Sequence, residues 1–161
     1  EVLPGYAHDV EPARVEFSLD ARIPEDYIDH PSERIDFYRR LAHAEDLEKI
    51  ELIEEEVVDR FGPLPKSARN LFAGARIRVL ATRTGFSEVS VRDRDVLLKE
   101  RTGFFSQERL SKSLDVFGDR IGFQADGTWK VVRTTPALLV EDMKKFKDLI
   151  DMAGQIVSGS R

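Results

Sequence analysis

An α+β domain is what this sequence predicts, and three observations carry the prediction. Strongly periodic apolar positions mark helices through the first half, and short apolar runs around turn residues mark hairpins in the second. The regular strand–helix–strand alternation of a parallel α/β fold is absent. A length of 161 residues fits one domain. At 41% hydrophobic residues, the chain can bury a core without disulfide or metal staples.

Residues 1–13 hold Pro4, Gly5 and Pro12 without periodicity and read as a linker, so the domain is expected over 14–157 with a tail at 158–161. Val15 to Leu19 alternates apolar and polar, a strand pattern. Pro24 ends it, and Ile23 to Ile28 forms a short connection. Pro31-Ser32 opens a first helix to about Ala44, with Ile35, Tyr38 and Leu41/Ala42 on one face. A second helix from about Asp46 to Phe61 places Leu47, Ile50, Ile53, Val57, Val58 and Phe61 at helical spacing. Gly62 and Pro63 stop it, and Pro63-Leu64-Pro65 is a stiff corner. The third helix, Lys66 to about Thr84, buries Ala68, Leu71, Phe72, Ala75 and Val79, and Gly85 ends it.

In the second half, Val89–Val91 and Val96–Leu98 read as strands around Asp93-Arg94. Ser106 caps a short helix from Gln107 to Phe117, closed by Gly118. Residues 120–124 and 128–133 flank Asp126-Gly127, a two-residue hairpin signal. Trp129, in that hairpin, is expected in the core. Thr135 caps and Pro136 begins a long last helix with a stripe of Leu139, Met143, Phe146, Ile150, Ala153 and Val157.

The chemistry that is missing narrows the function. With no cysteine, disulfides, thiolate metal sites and cysteine nucleophiles are excluded. No apolar run approaches the ~20 residues of a membrane helix, and the amino terminus has no basic-then-apolar signal. That terminus lacks a Met, in keeping with a piece of a longer chain. There is no phosphate-binding G-x-x-x-x-G-K-[ST], no G-x-G-x-x-G and no G-x-S-x-G. His8, His30 and His43 are far apart, none in metal-ligand spacing. His43 suits the negative end of the first helix. No cofactor, metal or catalytic residue is expected, since a solvated acidic face does not separate carboxylate pKa values as acid–base catalysis requires.

Charge is unevenly spread. Eight acids and one base, Lys49, lie between Glu45 and Asp59, so this stretch carries −7 of a net −5 and the remainder carries +2. On the second helix, opposite the apolar stripe, stand Glu45, Glu48, Leu52, Glu56 and Asp59. Leu52 is apolar among acids, and Asp59 sits in the last turn, where the helix dipole disfavours a negative charge by ~0.3–1 kcal/mol. Physical chemistry alone allows a solubilising face with an ordinary exposed leucine. The sharper alternative is an apolar contact ringed by charges that steer a basic partner. Arg69, Arg76 and Arg83 recur every seven residues along the third helix, with Arg78 off the line. They can pair with the acidic helix, stay solvated or contact nucleic acid; a duplex-DNA binder would show a stronger basic face.

Three motifs stand in order: Ile23-Pro24-Glu25-Asp26-Tyr27-Ile28, then Arg34 through Tyr38-Arg39-Arg40-Leu41-Ala42, then Val58-Asp59-Arg60-Phe61-Gly62-Pro63-Leu64-Pro65. This run resembles the C-terminal domain of bacterial transcription-repair coupling factors over about residues 14–86. Thr84-Gly85-Phe86 departs from the family's "LGI" at both flanking positions. The resemblance implies a cytoplasmic, ATP-driven DNA translocase as parent, one that displaces stalled RNA polymerase at lesions and recruits the excision-repair protein UvrA. The ATPase and translocation motifs would lie outside this chain. It also implies a regulatory, autoinhibitory role: this domain docks on a UvrB-like N-terminal domain of the same polypeptide and masks its UvrA-binding surface. With that partner in view, Glu56 and Asp59 are the expected docking residues, flanked by Glu48 and Leu52. The competing expectation is a nucleic-acid-binding accessory domain built on the third-helix arginines.

Overall fold

The long third helix organises the chain, because its sequence is apolar on two sides. The computed structural model describes residues 10–159, with side chains described as far as Met152. Its elements are β1 (Arg14–Phe17), α1 (Pro31–His43), α2 (Leu47–Phe61), α3 (Lys66–Arg83), β2 (Phe86–Val91) and β3 (Asp95–Glu100). They are followed by α4 (Gln107–Phe117), a 3₁₀ turn (Gly118–Arg120), β4 (Ile121–Phe123), β5 (Trp129–Val132) and α5 (Pro136–Gly159).

Phe72 and Val79 of α3 face a helical core with Ile23, Ile28, Phe37, Leu41, Ile50, Ile53 and Val57. Ile77, Leu80 and Ala81 face a second core on the sheet, with Phe86, Val91, Val96, Leu98, Trp129 and Val131. From α5, Leu139, Met143 and Phe146 close that second core. Trp129 is its aromatic centre, with ring centroids 4.9 Å from Phe86, 5.5 Å from Phe123 and 5.6 Å from Phe146. Arg109 of α4 lies beside these rings and bonds Glu100 at 2.7 Å, with both side chains only 10% exposed. Burying this pair is tolerable because each charge keeps its partner.

The sheet has the order β1-β2-β3-β5-β4. Its two hairpin pairings, β2 with β3 and β4 with β5, are antiparallel as expected from their turns. β1 lies parallel to β2, with Arg14 opposite Glu88 and Phe17 opposite Val91. A parallel pairing needs a long crossover, and here the crossover is the whole helical half, 18–85. Gly85 makes the return possible. Its φ of +89° suits glycine, and a Cβ there would lie 2.4 Å from the Phe104 ring. Phe86 can then enter the sheet core directly.

Three expectations change. On α1 the inward residues are Phe37 and Leu41, whereas Ile35 is 55% exposed and Ala42 is exposed. Two bulky side chains four residues apart define the contact with α2 and α3, and the neighbouring stripe is left at the rim. Tyr38, half in and half out, accepts the Ile23 amide at 2.7 Å. Ala13, assigned to the linker, is buried and its amide donates to Thr82 Oγ1 at 2.8 Å. The last helix runs on to Gly159, past the expected tail boundary. The rest of the linker and tail assignments, residues 1–9 and 160–161, fall outside the described residues.

Trp129→Ala should lower stability by about 3–5 kcal/mol, the usual cost of deleting a large buried aromatic. Leu52→Ala should stay within about 0.5 kcal/mol, because that side chain leaves no cavity. Urea unfolding of both variants checks this; equal effects would contradict the assignment of core and surface.

Candidate docking face on the acidic helix

Helix α2 is held at both ends by its own sequence. The Asp46 carboxylate accepts the Lys49 amide at 2.8 Å, satisfying one of the free donors of the first turn. At the other end Gly62, with φ +91°, lets its amide reach Val58 O at 2.9 Å. The Gly62 carbonyl then accepts the Tyr27 hydroxyl at 2.5 Å, tying the helix end to the Ile23–Ile28 segment. Burial of the Tyr27 ring, and secondarily the charge of Glu54, raises its phenol pKa. Ile50, Ile53 and Val57 are buried inward, which fixes what faces out.

The outward stripe is Glu48, Leu52, Glu55 and Asp59, spaced four, three and four residues apart, all exposed. Leu52 is 63% exposed, the helix's most solvent-facing large apolar side chain among the described residues. Glu48 and Asp59 have no ion pair or hydrogen-bonded side chain among the described residues. Glu55 belongs to this stripe and was not among the expected site residues; the same spacing that groups Glu48, Leu52 and Asp59 singles it out.

Glu56 lies elsewhere. It sits on the flank of α2 toward α1, where Arg40 grips both its carboxylate oxygens, at 2.8 and 3.1 Å. Arg60 approaches the same carboxylate at 3.5 Å and also contacts Glu33, while Arg40 lies 3.8 Å from Asp36. The result is an ion chain, Asp36–Arg40–Glu56–Arg60–Glu33, linking α1 to α2. Both guanidiniums lie over the Phe37 ring, at 5.2 and 5.9 Å from its centre, which restrains them. The hydrogen bonds from Arg40, followed by the charges of Arg40 and Arg60, hold the Glu56 carboxyl below the ordinary glutamate range. The same bond raises Arg40. The sequence reading places Glu56 on the outward face with Asp59, but the identity of the neighbouring helix decides where Glu56 points.

The α3 arginines are engaged within the fold. Arg76 pairs with Glu54 at 2.7 Å, Arg83 donates to Glu45 O at 3.1 Å, and Arg69 to Leu64 O at 3.0 Å. Arg78 donates to Leu41 O and Ala44 O at 2.7 and 3.0 Å, capping the end of α1, and its burial lowers its pKa. His43 Nδ1 lies 2.7 Å from Arg39 O, a local helix-end contact. Among the described residues no group of His, Asp and Glu is arranged to hold a metal. Among the described residues no helix is long and apolar enough to cross a membrane either.

The model of the TRCF-domain family matches residues 17–107, more than half of the chain and all of the acidic helix. The chain belongs to the TRCF-domain family. It is similar to the transcription-repair-coupling factor of Mycobacterium tuberculosis, 37% identical over 84 residues, which are 52% of this chain and 7% of that protein. The Bacillus subtilis protein of the same name is 30% identical over 117 residues, 70% of this chain and 10% of the relative. The Escherichia coli one is 37% identical over 75 residues, 47% of this chain and 6% of the relative. The chain therefore spans a tenth or less of these relatives' lengths. A crystallised C-terminal domain of a transcription-repair coupling factor shares the fold. It superposes with TM-score 0.70 at 19% identity, covering 87% of this chain and 94% of the other.

A depressed carboxyl pKa means that the Arg40–Glu56 pair contributes to TRCF-domain stability at neutral pH. The contribution is lost as acid protonates Glu56. Arg40→Gln should move the Glu56 carboxyl midpoint up toward ordinary glutamate in a ¹³C NMR titration and weaken this acid-side loss. An unmoved midpoint would assign the shift to Arg60 instead.

Proposed function

We propose that this TRCF domain is a non-catalytic, autoinhibitory clamp of a transcription-repair coupling factor. In this reading it docks on the UvrB-like N-terminal domain of the same polypeptide and masks the UvrA-binding surface there. ATP hydrolysis, DNA translocation and contact with stalled RNA polymerase belong to other domains of the cytoplasmic parent. The carrying observation is the outward stripe of α2, where exposed Leu52 stands among Glu48, Glu55 and Asp59. An apolar centre with a charged rim is the ordinary anatomy of a small docking patch. The rim's negative charge favours a basic partner and repels an acidic one. One leucine and a rim of solvated charges make a weak contact, which suits a clamp that must open. The internal bonds of Arg69, Arg76, Arg78 and Arg83 weigh against the nucleic-acid alternative, since a phosphate would have to displace them.

The test is a single-chain fusion of this domain to the UvrB-like domain through a flexible Gly/Ser linker, with a fluorophore pair reporting closure. The linker supplies an effective concentration of order mM, enough to populate a weak contact. Closure should fall as ionic strength rises and the Debye length shortens. Leu52→Glu, or Glu48→Lys with Asp59→Lys, should cut the closed-to-open ratio about tenfold while the domain's thermal melt is unchanged. A fusion that never closes at low salt, or one indifferent to all these substitutions, contradicts the proposal.

A further inference from the structure

Resting on the clamp reading, we infer that Arg40 is an internal competitor for Glu56 that sets how tightly the clamp closes. Among the described residues, Glu56 alone of the four expected docking residues already holds a cation, and it holds it in the two-pronged geometry of an arginine–carboxylate pair. A basic partner side chain that reaches Glu56 therefore does not meet a free carboxylate. It must take the place of the Arg40 guanidinium, and docking at this point is an exchange of one arginine partner for another.

The surroundings make that exchange feasible. Released from Glu56, Arg40 keeps Asp36 at 3.8 Å and its position over the Phe37 ring. Arg60 keeps Glu33 and the Phe61 ring, 4.8 Å from its guanidinium carbon. Neither cation is left without a neighbour when Glu56 changes hands. The pair is also open enough for a partner to reach, with the Arg40 and Glu56 side chains 37% and 38% exposed. Arg40 is the stronger competitor of the two arginines, since it binds both carboxylate oxygens and Arg60 approaches only one, at 3.5 Å.

The consequence has an unusual sign: removing a stabilising residue of the free domain strengthens its docking. In the same fusion, Arg40→Gln should raise the closed-to-open ratio roughly two- to fivefold, the range set by a partly exposed ion pair. Arg40→Lys, which keeps the charge without the fork, should fall between wild type and Arg40→Gln. Deleting any surface cation near a docking site would also favour a basic partner, so the decisive comparison is a double-mutant cycle with Glu56→Gln. Competition predicts that Arg40→Gln has no effect once Glu56 is neutral. An equal gain in both backgrounds, no gain, or a loss overturns the inference. If Arg40→Gln melts early, the Arg40→Lys arm of the cycle decides by the same criteria. Should Leu52→Glu and Glu48→Lys with Asp59→Lys all leave closure untouched, the clamp reading itself has failed and this inference falls with it. If those substitutions open the clamp and the Arg40 cycle is flat, the inference alone is wrong.

Discussion

The two-sided burial of α3 is the constraint on which the rest of the structure depends. An 18-residue helix is about 27 Å long, and this one is apolar on two faces at once. A helix of that kind has to be covered on both. The sheet and α5 cover one side, and α1 and α2 the other. The arginines occupy the seams between these faces, where their stems extend the apolar surface and their heads reach carbonyls and carboxylates of α1, α2 and the adjoining turns. With Ile50, Ile53 and Val57 buried inward and Arg76 bound to Glu54, the rotation of α2 about its own axis is settled. The outer stripe of α2 follows from how its inner side is held.

Most of the fold was legible because its signals are local. Caps at Ser106 and Thr135, the helix-ending glycines at 62, 85 and 118, and the Asp126-Gly127 hairpin are each written within a few residues. The parallel β1–β2 pairing was not legible, since its partners lie more than seventy residues apart and no turn connects them. The inward face of α1 was misplaced for a related reason. Ile35, Tyr38 and Leu41 form a plausible stripe, but the space left by α2 and α3 admits Phe37 instead.

The candidate site divides along the same line. Leu52, Glu48 and Asp59 face outward as their spacing predicts, because outward residues on a helix are defined by what lies inward on the same helix. Glu56 could not be placed this way. Its position on the wheel is lateral, and only the arrival of Arg40 from α1 shows that its charge is already matched. Eight acids in fifteen residues therefore overstate the negative field that a partner meets. The effective face is a leucine with three acids around it, flanked by a carboxylate whose availability depends on a neighbour. Such a surface gives reversible, salt-sensitive recognition better than it gives tight binding.

The most direct test of the docking face is to map the contact residue by residue. Amide chemical-shift changes in this domain would be followed by NMR as the UvrB-like domain is titrated in at low salt. The account predicts the largest changes along Glu48, Leu52, Glu55 and Asp59, extending to Arg40 and Glu56, with the sheet half quiet. Changes concentrated on the open face of the sheet or on α4, with α2 unmoved, would contradict it.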